Sequence, residues 1–187
     1  MAKLIYVTNV SLDGYIEDER GAFDWLPMDD EVFACYTDLV RSVGTFVYGR
    51  RLYESMALWE TNAALAAQSD LTANFARAWQ AASKVVYSTT LATLSTVDTR
   101  LERRFDPAAV HELKAAASSD LTIGGANLAT QAFHAGLVDE CHLFVWPVAV
   151  GGGKPGLPTG TRVDLELLDE RRFRNGVLQL RYRTLAR

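Results

Sequence analysis

Residues 121–128, LTIGGANL, carry an apolar run directly into two glycines and then into a sequence that favours a helix. The run at 121–123 is typical of a buried strand, and Gly136 is expected to end the helix that follows. Glycines at such a junction allow a ligand to approach the backbone, and free N–H groups at a helix start attract phosphate. The stretch therefore predicts a strand-to-helix turn that can bind an anion.

Two other apolar runs end in a similar way. Residues 45–48 lead into Gly49 and two arginines, and residues 84–87 lead into a Ser-Thr-Thr sequence. Arginines and hydroxyls suit a phosphate through charge-assisted hydrogen bonds. Taken alone, each of these patterns is found more often in a turn or on a solvated surface than at a phosphate site. Because ligands of open α/β sheets bind outside the carboxyl ends of the strands, their joint position indicates one shared site.

Strands and helices alternate along the rest of the chain. Apolar spacing and turn residues predict a strand at 4–7, helices over 32–43 and 71–82 and from Asp106-Pro107, an apolar strand at 143–150 interrupted by Pro147, and a hairpin turn at 174–177. This order indicates an α/β fold whose mixed sheet is mostly parallel, with an antiparallel C-terminal hairpin. No linker or repeat is visible, so residues 1–187 are expected to form a single domain.

The composition excludes several classes of protein. The chain has 187 residues, of which 49% are hydrophobic and 22% charged, so it can bury a core and is not disordered. A net charge of −4 favours neither nucleic acid nor an anionic membrane surface. Cys35 and Cys141 suit reduced thiols, no export signal precedes them, and a cytoplasmic protein is expected. The histidines show no metal-ligand spacing to these cysteines, so no metal is expected.

Two standard nucleotide-binding motifs can be rejected at residues 151–156. The segment matches the spacing G-x-G-x-x-G, but Pro155 and Pro158 forbid the helix that must follow. Lys154 follows three glycines as in a P-loop, yet a proline replaces the Ser or Thr that the P-loop requires. Neither motif therefore explains a nucleotide site.

Four segments, spread from residue 11 to residue 155, carry a resemblance to a known family. They are residues 11–16 (SLDGYI), 49–55 (GRRLYES), 123–126 (IGGA) and 147–155 (PVAVGGGKP). With these motifs the chain resembles the dihydrofolate reductase-like superfamily, and most closely the branch that includes the reductase domain of bacterial riboflavin biosynthesis. The resemblance implies a three-layer α/β/α sandwich, NADPH as the cofactor and a small-molecule substrate.

Carried over position by position, the resemblance also implies a cofactor site. Arg50 and Arg51 would bind the 2′-phosphate or the pyrophosphate, and the Gly124-Gly125 turn, which is joined by a cis peptide bond in the reductases, would hold the pyrophosphate. The implied cofactor residues are Thr8, Ile16, Gly49, Arg50, Arg51, Leu52, Ser88, Thr89, Gly124, Gly125, Ala126, Asn127 and Leu128. Leu52 stands where the family has a threonine, which removes one hydroxyl contact to phosphate.

The same resemblance places a substrate beside the loop at 11–16. Asp13 is the best-placed polar residue to hold the substrate or to relay a proton, although Asp13-Gly14 also fits a simple turn. Trp25 is a candidate for an aromatic lid over the substrate or for a plug at the core edge. Tyr48 is expected to face either the core or the ligand.

Three functions stay open. Folate reductases carry an acid in the first long helix, but the matching interval here falls on Phe33. Asp29, Asp30 and Glu31 lie nearby and are either first-turn helix acids or a substrate-binding acid. The first function is a reductase that transfers a hydride from NADPH to a small heterocyclic, pyrimidine- or pterin-like substrate. The second is a true dihydrofolate reductase. The third is a cofactor-binding protein without turnover.

A homodimer is also expected. The resembling family tends to dimerise, and alternating apolar positions at 163–170 and 177–182 are able to build an interface at the edge of a sheet. The same two segments are equally typical of strands that pack on their own core. The sequence alone leaves both interpretations open.

Overall fold

The structure, a computed structural model, describes residues 1–27 and 29–185. The strands are β1 (Leu4–Ser11), β2 (Tyr15–Glu17), β3 (Val43–Gly49), β4 (Ser83–Tyr87), β5 (Thr99–Glu102), β6 (Asp120–Gly124), β7 (Glu140–Trp146), β8 (Lys154–Pro155), β9 (Leu165–Arg172) and β10 (Leu178–Thr184). The helices are α1 (Asp30–Ser42), α2 (Arg50–Met56), α3 (Leu58–Thr61), α4 (Ala63–Ala66), α5 (Asp70–Ala81), α6 (Pro107–Ala116) and α7 (Ala126–His134).

Eight strands form one sheet in the order β5-β4-β3-β6-β1-β7-β10-β9. The first six in that order run parallel, and β10 and β9 close the sheet as an antiparallel hairpin. β2 and β8 pair with each other apart from this sheet. The mixed sheet with an antiparallel C-terminal hairpin confirms the fold class that the sequence predicts.

Helices cover both faces of the sheet, which gives three layers. On one face Val110 of α6 and Leu128 of α7 pack on the central strands. On the other face α1, α2 and α5 contribute Val40, Tyr53 and Trp79 to a second apolar cluster. A third cluster joins α1 to β7 and to the terminal hairpin. The α/β/α sandwich that the resemblance implies is therefore confirmed.

The helices begin where capping residues stand in the sequence. Asp29 caps α1 by accepting a hydrogen bond from a backbone N–H three residues on. Ser69 and Thr72 form a capping box at the start of α5, and Asp106 caps α6 just before a proline at its first position. No helix in the described ranges is long and apolar enough to cross a membrane.

Some strands differ from the sequence pattern. β1 extends beyond the apolar run at 4–7, because Thr8 and Asn9 continue the pairing with β7. β7 ends at Trp146, where Pro147 has no N–H for a ladder hydrogen bond. β5 was not predicted, because its four residues carry little apolar alternation and form a strand through pairing with β4.

Candidate functional site

The three strand ends meet at one edge of the sheet. β4, β3 and β6 are neighbours and run parallel, with Gly49 level with Tyr87 on one side and Tyr48 level with Gly124 on the other. β1 lies on the far side of β6, so the loop after Ser11 opens at the same edge. Cofactor residues predicted from three separate segments are thereby brought together.

Bare backbone lines the centre of this edge. A Cβ on Gly124 would clash with Cδ2 of Leu52, which packs over this glycine and against the core on α2 and α5. Gly125 has a φ of +95°, and a Cβ built there would lie 3.6 Å from the backbone N of Gly49. Residues other than glycine rarely adopt that backbone conformation. The backbones of Gly49 and Gly125 therefore lie side by side with no side chain between them, whereas Gly124 is buried beneath Leu52.

α7 starts at this surface. Gly125 is its N-cap, and no side chain of the described residues caps its first turn. The N–H groups of Ala126, Asn127 and Leu128 are therefore donors at the positive end of the helix dipole. The peptide bond between Gly124 and Gly125 is trans, as are all peptide bonds that the structure describes, so the implied cis bond is not found.

Two arginines open α2 beside the glycines and differ in their contacts. Arg50 donates from Nε to Glu54 at 2.8 Å and from Nη1 to Oγ1 of Thr90 at 2.8 Å. Arg51 is exposed, and its guanidinium makes no hydrogen bond or ion pair within residues 1–27 and 29–185. Thr89 is also exposed. Of these two arginines, Arg51 is the one that has no partner in the described part of the chain and can bind a phosphate.

Residues 88–91 form a tight turn after β4, the Ser88 turn. Oγ of Ser88 accepts hydrogen bonds from the N–H groups of Thr90 (3.2 Å) and Leu91 (2.9 Å). Arg103, just after β5, donates from Nη1 to the carbonyl oxygens of Ser88 (3.2 Å) and Leu91 (2.7 Å). No sequence pattern points to Arg103, because only the pairing of β5 with β4 brings it to this turn.

Asp13 joins two loops. Its carboxylate accepts hydrogen bonds from the N–H groups of Val150 at 3.1 Å and Gly151 at 2.7 Å. The hydrogen bond with the Ser11 side chain, and next the one from Gly151, lower the pKa of Asp13 below its ordinary value. The carboxylate is held ionised, and its geometry favours a positioning role over proton donation.

The glycine-rich segment at 151–154 packs against β2. Gly153 has a φ of +135°, and a Cβ there would overlap the carbonyl oxygen of Glu17. Lys154 pairs with the Glu17 carboxylate at 3.6 Å. Ile16 lies beside Gly156, because a Cβ built on Gly156 would be 3.3 Å from Cγ2 of Ile16. These glycines allow two chain segments to approach closely, and the lysine pairs with an acid of the same chain.

The expected substrate side lies between β1 and α1. Thr8 and Asn9 are half-buried there, and Tyr36 of α1 stacks on Phe144 of β7 with ring centroids 4.2 Å apart. The Tyr36 hydroxyl is buried and has no hydrogen-bond partner among the described residues. Asn9 lies beside it and partly offsets the effect of burial on its pKa, while Oδ1 of Asn9 accepts from Nε1 of Trp146 at 2.8 Å. Burial raises the pKa of Tyr36, so the hydroxyl is neutral.

Trp25 and Tyr48 have different surroundings. Trp25 is half-buried against the apolar cluster between α1 and β7, and its indole N–H is buried without a partner in the described part of the chain. Tyr48 is 5% exposed, and its hydroxyl accepts from Nε1 of Trp79 at 3.0 Å. Of the two orientations left open for Tyr48, the structure shows the one facing the core, which offers a substrate almost no surface.

The acids at the start of α1 make structural contacts. Asp29 caps the helix. Glu31 accepts from Nη2 of Arg171 at 3.2 Å and from the backbone N of Arg174 at 3.1 Å, which ties α1 to the terminal hairpin. Asp30 is exposed. The structure thus gives Asp29 and Glu31 roles other than that of the folate-binding acid.

A groove of about 790 Å³ lies at the opposite ends of β1 and β7. Lys3, Asp139, Glu140 and Arg183 are among its lining residues, and none of the predicted site residues is. Lys3 and Arg183 pair with acids, Lys3 with Glu140 itself. We therefore place the candidate site at the carboxyl edge, where the bare backbone of Gly49 and Gly125 lies near Arg51, a cation that has no partner in residues 1–27 and 29–185.

The comparisons with known proteins agree with this architecture. Residues 2–179 match the RibD C-terminal domain. The chain belongs to the RibD C-terminal domain family. A relative in this comparison is the uncharacterised protein YyaP of Bacillus subtilis (strain 168). The two sequences are 30% identical over an alignment of 187 positions, which covers 96% of this chain and 94% of YyaP.

Solved structures show the same fold as this RibD C-terminal domain. A protein from Shewanella sp. PV-4 that is assigned to riboflavin biosynthesis has a TM-score of 0.75 at 22% identity, with both chains covered completely. The diaminohydroxyphosphoribosylaminopyrimidine deaminase/5-amino-6-(5-phosphoribosylamino)uracil reductase of Thermotoga maritima has a TM-score of 0.65 at 12% identity, over 98% of this chain and 57% of its own. The dihydrofolate reductase-like fold that the motifs imply is confirmed.

Proposed function

We propose that this RibD C-terminal domain is a reductase that uses NADPH to reduce a small heterocyclic, pyrimidine- or pterin-like substrate. The observation that carries the proposal is the bare backbone at Gly49 and Gly125, flanked by the Ser88 turn and by the guanidinium of Arg51, which has no partner among the described residues. A dinucleotide with an extra phosphate needs such a surface without side chains, together with N–H donors and positive charge.

The residues present fit NADPH. The N–H groups of residues 126–128 would bind the pyrophosphate, because they lie at an uncapped helix start next to the glycines. Arg51, with the hydroxyls of Ser88 and Thr89, would bind the 2′-phosphate. Arg50 would support them from its fixed position between α2 and the Ser88 turn.

When bound, NADPH supplies the hydride, and the chain supplies orientation and electrostatics. Thr8 and Ile16 would contact the nicotinamide end of the cofactor, since both lie near the carboxyl end of β1. Asp13 would hold the loop at 148–151 in place beside them through its two backbone hydrogen bonds. Trp25 would cover the substrate from the side of α1.

The neutral groups between β1 and α1 support the proposed substrate class. The Tyr36 hydroxyl and the Trp25 indole N–H are buried without partners in the described ranges, so a substrate that hydrogen-bonds them would remove an unfavourable state. The Thermotoga maritima relative is named as a reductase of a substituted uracil, a neutral heterocycle. A true dihydrofolate reductase fits less well, because Asp29 and Glu31 are engaged in structural contacts.

A second candidate is a cofactor-binding protein without turnover. The observation that favours it is the state of Asp13, whose carboxylate is ionised and already accepts two backbone hydrogen bonds. The one acid that the sequence offered for proton relay is therefore occupied. In a protein of this kind the cofactor site would be the same, and only the chemistry on a substrate would be absent.

The two candidates are separated by an assay of NADPH oxidation with a panel of aminouracils and dihydropterins. A reductase should oxidise NADPH with at least one of these compounds. In Asp13→Asn we expect kcat to fall about tenfold, because the amide keeps only one of the two loop contacts, whereas Asp24→Asn, an exposed change in the same region, should leave kcat unchanged. Saturable NADPH binding without oxidation by any compound would favour the second candidate.

We also propose that the chain forms a homodimer through β9. This strand lies at the edge of the sheet, so its outer side has no strand partner in the described residues, and Leu167 on it is 49% exposed. An exposed edge with an apolar residue is suited to pairing with a second copy. Light scattering should give the mass of two chains for the wild type and of one chain for Leu167→Asp. A monomeric wild type would contradict the proposal.

A further inference from the structure

The Ser88 turn separates its acceptors from its donors. The carbonyl oxygens of Ser88 and Leu91 both bind Nη1 of Arg103, at 3.2 Å and 2.7 Å. One nitrogen with two N–H groups therefore takes up the carbonyl oxygens of Ser88 and Leu91. Because carbonyl oxygens carry partial negative charge, these two atoms would oppose an anion if they were free to point toward it.

The hydroxyl groups of the turn are left as donors. Oγ of Ser88 acts as the acceptor for two backbone N–H groups, so its own hydrogen is free to donate. Oγ1 of Thr90 accepts from Arg50, which leaves its hydrogen free in the same way. Thr89 at the tip is exposed. With Arg103 on one side, the turn presents hydroxyl groups and no free carbonyl of Ser88 or Leu91.

The position of Arg103 is fixed by the sheet. β5 pairs with β4 so that Glu102 lies level with Tyr87, and the backbone N–H of Ser88 donates to the carbonyl oxygen of Glu102 at 2.9 Å. Arg103 follows directly and reaches the turn from the outer edge of the sheet. Arg51 approaches from α2, on the other side of β4. The turn thus lies between one arginine that is engaged with its backbone and one that is free.

On the basis of the proposed function, we propose that Arg103 is a positioning residue for the 2′-phosphate of NADPH. By binding the carbonyl oxygens of Ser88 and Leu91, it holds the Ser88 turn in the conformation whose hydroxyl groups meet the phosphate, and Arg51 supplies the direct charge. Arg103 itself does not contact the phosphate. It acts through the turn, and it therefore contributes to the preference for a phosphorylated ribose and little to binding of the rest of the nucleotide.

The test compares two ligands that differ only in the 2′-phosphate, adenosine 2′,5′-bisphosphate and AMP, by titration calorimetry of the full chain. Arg103→Gln should weaken binding of the bisphosphate about tenfold, the size of one charge-assisted hydrogen bond, and should leave AMP unchanged. Arg104→Gln is the matched control. It removes the same charge one residue along, where the side chain is exposed and makes no contact with the described turn. Unchanged AMP binding shows that the variant is folded.

Each possible result supports or overturns the positioning role of Arg103. Equal weakening of the bisphosphate by Arg103→Gln and Arg104→Gln would assign the effect to net charge and overturn the positioning role, and so would an unchanged ratio of the two affinities in Arg103→Gln. A wild type that does not prefer the bisphosphate would contradict both this role and the NADPH site. A chain that shows the expected ratios but never oxidises NADPH would support the role of Arg103 and refute turnover alone.

Discussion

The two ends of the parallel strands use charged residues in opposite ways. At the carboxyl edge, Arg51 is exposed and its guanidinium has no partner in the ranges that the structure describes. At the other end, Glu140 is 4% exposed and lies 2.6 Å from Nζ of Lys3 and 3.0 Å from Nε2 of His142. Arg181 approaches the same carboxylate at 3.8 Å. These four residues form the Glu140 cluster.

The difference separates charges that hold the fold from a charge that is available to a ligand. A buried carboxylate is unfavourable unless cations and hydrogen bonds surround it, and breaking such a group is strongly destabilising. An exposed arginine contributes little to stability but binds a phosphate strongly. Changes in the Glu140 cluster should therefore affect the free energy of unfolding, and changes at Arg51 should affect binding.

The largest expected effect is that of Glu140→Gln. We expect the free energy of unfolding to fall by about 3 kcal/mol, because Lys3 and Arg181 lose a buried counter-charge and the neutral His142 ring loses its charged hydrogen-bond partner. Urea denaturation measures this change. Glu166→Gln is the matched control, since its carboxylate forms an exposed pair with Arg183 at 3.1 Å and should contribute less than about 1 kcal/mol. Equal losses in both variants would contradict the contrast between the two ends.

Next in size is Gly124→Ala at the carboxyl edge. The added Cβ meets Cδ2 of Leu52, and we expect a loss of about 2 kcal/mol in the free energy of unfolding from this overpacking. The loss should shrink when the same change is made in a Leu52→Ala chain, because the clashing atom is gone. An equal cost of Gly124→Ala in both backgrounds would show that the contact is not its cause.

A smaller effect of opposite sign is expected for Tyr36→Phe. Removal of a buried hydroxyl without a partner should raise the free energy of unfolding by about 1 kcal/mol. The phenylalanine ring keeps the stacking on Phe144, so the change in stability reports the loss of the hydroxyl alone. If thermal denaturation showed a loss of stability instead, the hydroxyl would have a partner in the free protein, and its availability to a substrate would be refuted.

The smallest effect concerns the pH dependence of stability. Burial, partly offset by the hydrogen bond to Glu140, lowers the pKa of His142 below its ordinary value of 6.5. Below pH 6.5 the unfolded chain binds a proton at His142 that the folded chain does not. The free energy of unfolding therefore decreases as the pH is lowered. We expect less than about 1 kcal/mol from this residue between pH 7 and 5.5.

His142→Gln should flatten the dependence over that range, as measured by urea denaturation at several pH values. His111→Gln, a change at an exposed position of α6, should leave the dependence as it is. Below the range of His142, Glu140 adds a further loss. Burial alone would raise the pKa of Glu140, but the hydrogen bonds from Lys3 and His142 outweigh it and lower the pKa. A slope that is unchanged in His142→Gln would refute the assignment.

The elements with local signals could be predicted from the sequence. Asp29, Ser69 and Asp106 stand at the starts of helices, and the apolar runs before Gly49 and Gly124 form parallel strands. Local patterns suffice there because capping and burial act on neighbouring residues. The meeting of three strand ends at one edge followed from the general behaviour of parallel sheets.

The features that depend on contacts between distant segments could not be predicted. Arg103 reaches the Ser88 turn only because β5 pairs with β4. Asp13 is engaged by a loop 137 residues further along the chain. The two orientations of Tyr48 were separated only by its hydrogen bond with Trp79, and the isolated hydroxyl of Tyr36 results from packing between α1 and β7. Sequence spacing carries no information on such pairs.

A fluorescence titration with NADPH and NADH tests most directly the proposal that the carboxyl edge binds NADPH through its 2′-phosphate. The wild-type chain should bind NADPH about tenfold to a hundredfold more tightly than NADH. Arg51→Ala should abolish most of that preference, and Arg77→Ala, an exposed arginine on α5, should keep it. Binding of neither nucleotide, or equal binding of both by the wild type, would contradict the account.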